Sequence, residues 1–354
     1  MCHDYAAQTP GAGWLHLFLR LYLSFHYISL ATNVMLYDNI KVVVSRTLFN
    51  LCFAAVFLTG TAYAERPQVA VDIAPVHSLV AQVMDGIAAP DLIIQPGATP
   101  HEYSLRPSEA AALQSADIVF WIGPDLTPWL AEAIETLAPT AALTSLLDVD
   151  GAIQLEFRDN AVFKAHDHSN RDDQGGHADH DDHNDHDDHD SHDVHGAHDP
   201  HAWLSPKNAM TWLDAVASRL SDVDPVNSDA YLANAASGRA AIEVLMDDVE
   251  TTLASVRGRE FIVFHDAYQY FETDFDFPAS GAISMSDASD PSPARIAEIR
   301  GEITEHGVAC VLAEPQFNPG LVATVLRGSD ARMGIVDPLG AELELGPKFY
   351  PKLI

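Results

Sequence analysis

Twice along this chain, short apolar runs alternate with helical runs of about ten residues, and no other feature restricts the fold as much. In the first half, residues 68–74, 91–95 and 117–122 read as buried strands, and 76–84, 108–115 and 127–137 as helices. In the second half, 261–264, 280–284, 308–313 and 333–336 read as strands, and 267–274, 293–306 and 319–327 as helices. Parallel neighbours need a crossover, and a helix between successive strands supplies one, so each half predicts stacked βαβ units. Between the halves, Pro206 opens a helix to about residue 220. Pro225 opens a longer one to about residue 256, with no internal proline and Gly238 as its one weak point. The expected fold is α/β: two lobes, each with a central, mostly parallel sheet flanked by helices, joined by one long linking helix. A stiff strut of that kind predicts small lobe movements rather than wide hinge opening.

The alternation is interrupted by a tract that no core can absorb. From His177 a histidine stands at every third position: His177, His180, His183, His186, His189, His192, His195, His198 and His201, with Asp filling most gaps. So polar a segment buries too little apolar surface to offset the entropy of ordering it, which predicts a mobile loop over 164–200. Imidazole suits Zn, Cu, Ni and Fe, so the tract reads as metal-binding. In an extended chain with three residues per turn, every third side chain lies on one edge, giving a ladder of imidazoles. The plain alternative is a solvated low-complexity linker. The last rung enters ordinary globular sequence, His201-Ala202-Trp203-Leu204-Ser205-Pro206.

Charge and cysteine use narrow the setting. Lys41 and Arg46 lead into an apolar core at 48–58 that ends in Ala62-Tyr63-Ala64, the pattern of an export signal over 35–64. The apolar run is too short to span a bilayer, and Phe49-Asn50-Leu51 before Cys52 does not make a lipid-attachment site. Residues 1–34 read as a start placed too early, with Met35 as initiator. The expected domains are a first lobe over 65–222, a linking helix over 223–257 and a second lobe over 258–354 that stops abruptly. The formal net charge is −32, and since residues 1–64 carry +1, the exported part carries −33. Such a surface disfavours nucleic acid and concentrates cations. Cys2 and Cys52 fall in the discarded segment, which leaves Cys310 alone, with no disulfide framework and no Cys-based zinc site.

Ligands of open α/β sheets bind beyond the carboxyl ends of the strands. His101 follows the strand at 91–95, His265 directly follows 261–264, His201 closes the tract, and Asp337 follows 333–336. Singly, each has an ordinary reading as a cap, a core-satisfied histidine or an Asp turning before Pro338. Together, three neutral imidazoles and an oxygen make a tetrahedral Zn²⁺ set. Trp203 and Tyr268 stand beside these residues as walls, Phe120, Trp121 and Trp129 read as core, and His77 and His306 as surface or cap residues. Glu314 is placed either to orient a ligand imidazole or to form a structural ion pair. A hydrolase would need a general base beside a metal-bound water. No HExxH-like pairing is present, so the chain is not expected to be an enzyme.

Residues 96–108 (PGATPHEYSLRPS), 201–206 (HAWLSP), 264–268 (FHDAY) and 313–317 (AEPQF) resemble the zinc-uptake receptors of bacterial ABC importers, the ZnuA-type subgroup of metal-binding receptors. The resemblance covers about 67–345 and includes the His-rich loop. It implies two lobes with Zn²⁺ buried between them, a monomer in the periplasm, and delivery to an ABC permease with its cytoplasmic ATPase. His101, His201 and His265 carry over as metal ligands, and a histidine at the third place favours zinc over manganese. The tract becomes a low-affinity collector or buffer. Manganese, nickel or copper as cargo, or a metal-binding adhesin, are the alternatives. Some members carry a carboxylate just before the first histidine; here it is Pro100, so Asp337 or a water completes the set. The C-terminal helix usual in the family is missing, and Cys310 matches a position that is disulfide-bonded in some members.

Overall fold

The computed structural model describes residues 66–158, 163, 198–285, 291–317 and 319–354. The upstream extension, the export signal and the tract residues His177, His180, His183, His186, His189, His192 and His195 lie outside them.

The first lobe runs β1 (Val69–Val71), α1 (Ala74–Val83), β2 (Asp91–Leu92), α2 (Pro107–Ser115), β3 (Ile118–Trp121), α3 (Pro128–Leu137) and β4 (Ala142–Ser145). Its sheet is parallel throughout, in the order β2-β1-β3-β4. β1 and β3 are buried along their whole length, as strands covered on both faces must be. All three helices carry a proline at one of their first two positions, where the missing N–H would have had no intrahelical partner. Residue pattern does not announce β4. It is an edge strand with residues half-buried or exposed, and only its register on β3, from Ile118↔Ala142 to Trp121↔Ser145, makes it a strand.

A 3₁₀ turn, Ala202–Leu204, leads into α4 (Pro206–Val223), which Ser205 caps by accepting the Asn208 N–H at 3.0 Å. A second 3₁₀ turn, Pro225–Asn227, precedes α5 (Ser228–Ala254), so the linking helix begins three residues later than Pro225 suggests. At 27 residues, α5 is about 40 Å long. Tyr231, Ala235, Gly238 and Ile242 form its buried seam against α1 and α4, so its first half belongs to the first lobe. At its far end Arg257 donates to the carbonyls of Phe275 (2.9 Å) and Asp276 (2.7 Å), which fastens the helix to the second lobe.

The second lobe contains β5 (Phe261–His265), α6 (Gln269–Phe275), β6 (Gly281–Ser284), α7 (Pro293–Glu305), β7 (Cys310–Ala313), α8 (Pro319–Val325) and β8 (Arg332–Ile335). Its sheet, β6-β5-β7-β8, is also parallel. Cys310 is a free, half-buried thiol, pushed up by burial.

Two local expectations change. His77 is not a surface residue. It sits inside α1 at 9% exposure, and burial pushes its imidazole down. The chain also does not end in the second lobe: α9 (Tyr350–Leu353) returns to the core of the first. Tyr350 N donates to Ser78 Oγ at 2.9 Å, Ser78 Oγ donates to Gly346 O at 2.8 Å, and the Tyr350 hydroxyl donates to Trp203 O at 2.8 Å.

Gly238 is a close-approach residue rather than a weak point. A Cβ there would stand 2.9 Å from Leu213 Cδ1 and 3.1 Å from Gln82 Cγ. Leu213 is fully buried and has little room to turn. Alanine would gain about 1 kcal/mol of helix propensity, against about 1–3 kcal/mol for overpacking. Gly238→Ala is therefore expected to lower stability by about 1 kcal/mol net in denaturant titration; a gain would show that the α4–α5 interface has slack.

Candidate metal centre

Sheet register explains how the second lobe builds its part of the site. β5 and β7 are parallel neighbours, paired Phe261↔Cys310 through Val263↔Leu312. Carried two residues further, that register brings the end of β5, His265, beside the residue after β7, Glu314. The two side chains meet: His265 Nδ1 lies 2.7 Å from Glu314 Oε1, with both groups nearly inaccessible. Glu314 Oε2 accepts from Gln316 Nε2 at 2.7 Å, which fixes the carboxylate. Phe317 packs edge-on to the imidazole, its centroid 5.4 Å away.

The first lobe repeats the arrangement on another piece of backbone. His201 precedes the buried turn Ala202–Leu204. Its Nδ1 lies 2.8 Å from Asp199 Oδ1, and the same oxygen accepts the His201 backbone N–H at 3.0 Å. Asp199 is 1% exposed. Burial pushes its carboxyl up to about 7, opposed by the His201 N–H and by the charges of Arg158, His265 and His101. Trp203 lies against His201 at 5.2 Å between centroids and donates its Nε1–H to Pro338 O at 2.8 Å.

A carboxylate behind each Nδ1 holds the proton there and turns the Nε2 lone pair forward. The two Nε2 atoms then face each other at 3.4 Å. Two lone pairs that close repel unless a proton or cation lies between them. Two nitrogens about 2.0–2.1 Å from one tetrahedral Zn²⁺ would stand about 3.3–3.4 Å apart. The spacing of the imidazoles therefore matches one edge of such a sphere.

His101 joins this pair from a third stretch of backbone. Its ring centroid is 5.8 Å from that of His201, on the loop between β2 and α2. Gly97 turns that loop with φ +83°, and Trp129 holds it by donating Nε1–H to Pro100 O at 2.8 Å. Trp129, expected as core, is thus a half-buried anchor for the His101 loop. Asp337 follows β8, and its carboxylate accepts the backbone N–H groups of Leu339 (3.0 Å), Gly340 (2.9 Å) and Ala341 (2.7 Å). The Tyr268 phenol is pushed well above its usual range by burial and by the charges of Glu314 and Asp337. Among the described residues, no group of three or more His, Cys, Asp or Glu side chains has the spacing of a formed metal centre. His201 and His265 face each other, and His101 and Asp337 stand on loops beside them. His198, the one low-affinity tract position described, donates its backbone N–H to Asp125 Oδ2 at 3.1 Å.

Sequence reasoning missed Asp199 and Arg158. Asp199 follows a dozen residues of near-identical Asp-rich sequence, and only its place two residues before His201 marks it out. Arg158 pairs with Asp266 (3.1 Å) and Glu272 (3.0 Å), at a distance in sequence that no motif spans.

Known proteins resemble this chain along most of its length. The sequence profile of the family described as "Zinc-uptake complex component A periplasmic" matches residues 69–354. A Brucella abortus (strain 2308) protein named high-affinity zinc uptake system protein ZnuA is 42% identical over 320 residues, covering 87% of this chain and 96% of its own. Its namesake from Paracoccus denitrificans is 40% identical over 294 residues, covering 83% and 90%. Among solved structures, a crystal structure of ZnuA superposes with a TM-score of 0.64 at 21% identity, covering 82% of this chain and 96% of that one. A mutant of the laminin-binding adhesin of Streptococcus agalactiae gives 0.64 at 19% identity, covering 81% and 95%. These structural likenesses bear on the fold alone.

The buried carboxyls give the chain a signed pH dependence. Burial raises Asp72, Asp199 and Asp266 from 3.8 to about 7 each. Between about pH 4 and 7 the folded chain thus holds protons that the unfolded chain has released. Their stabilising contribution is complete below about pH 4 and is lost as pH rises through 7. In chelator, the Tm is expected to fall between about pH 5 and 7.5. A Tm that rises over that interval would contradict the protonated buried carboxyls.

Proposed function

The chain belongs to the zinc-uptake complex component A family, and from that premise we propose that it is a periplasmic receptor that captures Zn²⁺ and delivers it to an ABC permease driven by a cytoplasmic ATPase. The observation that carries this reading is the pair of facing Nε2 atoms, 3.4 Å apart, each with a carboxylate behind its ring. His201, His265 and His101 supply three nitrogens to the ion. Asp337 or a water supplies the fourth position. The lone pairs of Asp337 not engaged by its turn favour the aspartate. Three imidazoles and one oxygen suit zinc better than manganese, which prefers oxygen.

Asp199 and Glu314 do more than orient the rings. Each is buried, offsets part of the dication's charge and makes its imidazole a stronger donor. Binding requires neutral imidazoles and ionised carboxyls, so capture releases protons and weakens on acidification. With Asp337 as the fourth ligand the coordination sphere would close and leave no open position for a hydrolytic water, which favours a receptor over an enzyme. No described helix is long and apolar enough to cross a membrane. The histidines from His177 to His198 gather Zn²⁺ loosely when it is scarce, or buffer it when it is abundant. The receptor works as a monomer.

Calorimetric titration of residues 65–354 with Zn²⁺, with and without 166–198, tests the assignment. One tight site is expected to survive the deletion while several weak ones vanish. If tight binding disappears with the tract, the chain is a His-rich buffer on an inert scaffold. Glu314→Gln in the deleted chain is expected to weaken the tight site by about 10- to 100-fold. Unchanged affinity would reduce the Glu314–His265 contact to a structural pair.

A further inference from the structure

One segment of the first lobe bonds to both ligand-bearing stretches of backbone. It begins as residues 151–158, the strap that leads toward the tract. Ile153 is tied to the first turn of α4, its N–H donating to Asn208 Oδ1 at 2.7 Å and its carbonyl accepting from Asn208 Nδ2 at 3.0 Å. Leu155 reaches the His201 stretch: its carbonyl accepts the Asp199 N–H at 2.8 Å. Its own N–H donates at 3.0 Å to the hydroxyl of Tyr270, which donates in turn to Asp199 O at 2.7 Å.

Three residues on, the strap reaches the His265 stretch. Arg158 Nη2 lies 3.1 Å from Asp266 Oδ1, and Nη1 donates to Glu272 Oε2 at 3.0 Å. The guanidinium is 18% exposed, and the two carboxylates are 5% and 7% exposed. The ring of Phe163 stacks on the guanidinium, its centroid 3.8 Å from Cζ, while Phe163 N–H donates to Ser280 O at 2.9 Å. Asp266 is the residue after His265, and Asp199 lies two before His201. The strap therefore holds one imidazole through Leu155 and the other through Arg158.

We infer that Arg158 is a positioning residue of the metal centre: its pairing with Asp266 and Glu272 fixes the separation of His201 and His265, and so governs how slowly bound Zn²⁺ leaves. This rests on the receptor reading above. Releasing the ion requires the two imidazoles to part, and the strap is a short, bonded path that resists their parting. A guanidinium serves here because it is planar. Nη1 donates to Glu272, the charge on Nη2 pairs with Asp266, and the face of the group stacks on Phe163. Without it, two buried carboxylates beside a ligand would repel each other and displace the stretch that carries His265.

The test measures Zn²⁺ dissociation into excess chelator and the visible spectrum with one equivalent of Co²⁺, using the exported chain. The chains compared are wild type, Arg158→Met, Arg158→Lys and Glu272→Gln. Arg158→Met is expected to release Zn²⁺ about tenfold faster or more and to shift the Co²⁺ bands. Lysine, which keeps the charge without the fork, is expected to recover part of both. Glu272→Gln loosens the same clamp from the other side and is expected to speed release severalfold, which keeps the test decisive should Arg158→Met fail to fold. Release and spectrum unchanged in Arg158→Met, with only a lowered Tm, would make the arginine a brace with no part in positioning. If Arg158→Met and Glu272→Gln both fail to speed release while His201→Ala abolishes tight binding, the inference falls and the receptor reading stands. If His201→Ala binds Zn²⁺ like wild type, both fall.

Discussion

Two buried imidazoles stand with a carboxylate behind each, and much of this molecule can be understood as what it takes to keep them so. An imidazole with its Nδ1 proton held by Asp199 or Glu314 has one lone pair left, and the backbone around it decides where that lone pair points. Burying four such groups costs free energy that only good pairing or a cation offsets. The pairs are therefore made by rigid elements. His265 and Glu314 come from adjacent parallel strands in fixed register, and His201 and Asp199 from a short run locked to the buried turn at Trp203.

Such pairs have value only if the lobes that carry them keep their distance. Among the described residues, the linking helix, the tail and the strap tie the lobes together, beside the bonds of Ser205 and Lys207 to Asp274 and of Tyr270 to Asp199. α5 is embedded in the first lobe by its seam at Tyr231, Ala235, Gly238 and Ile242, and is fastened to the second through Arg257. The tail from Asp337 to Ile354 returns to pack Tyr350, Leu353 and Ile354 in or against the core of the first lobe, touching Trp203 beside His201. The strap reaches across through Arg158. One continuous helix is already stiff along its axis. With further ties close to His201 and His265, a wide hinge would have to break buried polar contacts, whereas a small shift of the His101 loop need not.

Much of this is legible in the residues alone. Strand and helix periods, prolines at helix starts and turn residues locate nearly all of the elements, because each is dictated by local chemistry. His201 and His265 stand out as loop and strand-end histidines for the same reason. The failures share a different cause. β4 is an edge strand whose identity lies in its partner, His77 is buried by packing rather than by its own polarity, and Asp199 hides among other aspartates. Arg158 meets Asp266 and Glu272 across more than a hundred residues. Tertiary contacts decide all four, and no single stretch of sequence contains them. The return of the tail to the first lobe belongs with them, since Tyr350 finds Ser78 from the opposite end of the chain.

The metal shell itself can be read by X-ray absorption at the zinc edge, on the chain lacking 166–198 and loaded with one equivalent of Zn²⁺. About four nitrogen and oxygen neighbours at about 2.0–2.1 Å are expected, with no sulfur and with the outer-shell scattering of three imidazoles, reduced by one in His101→Ala. A shell of oxygens without imidazole scattering, or a spectrum that His101→Ala and His265→Ala leave unchanged, would contradict a site built on these histidines.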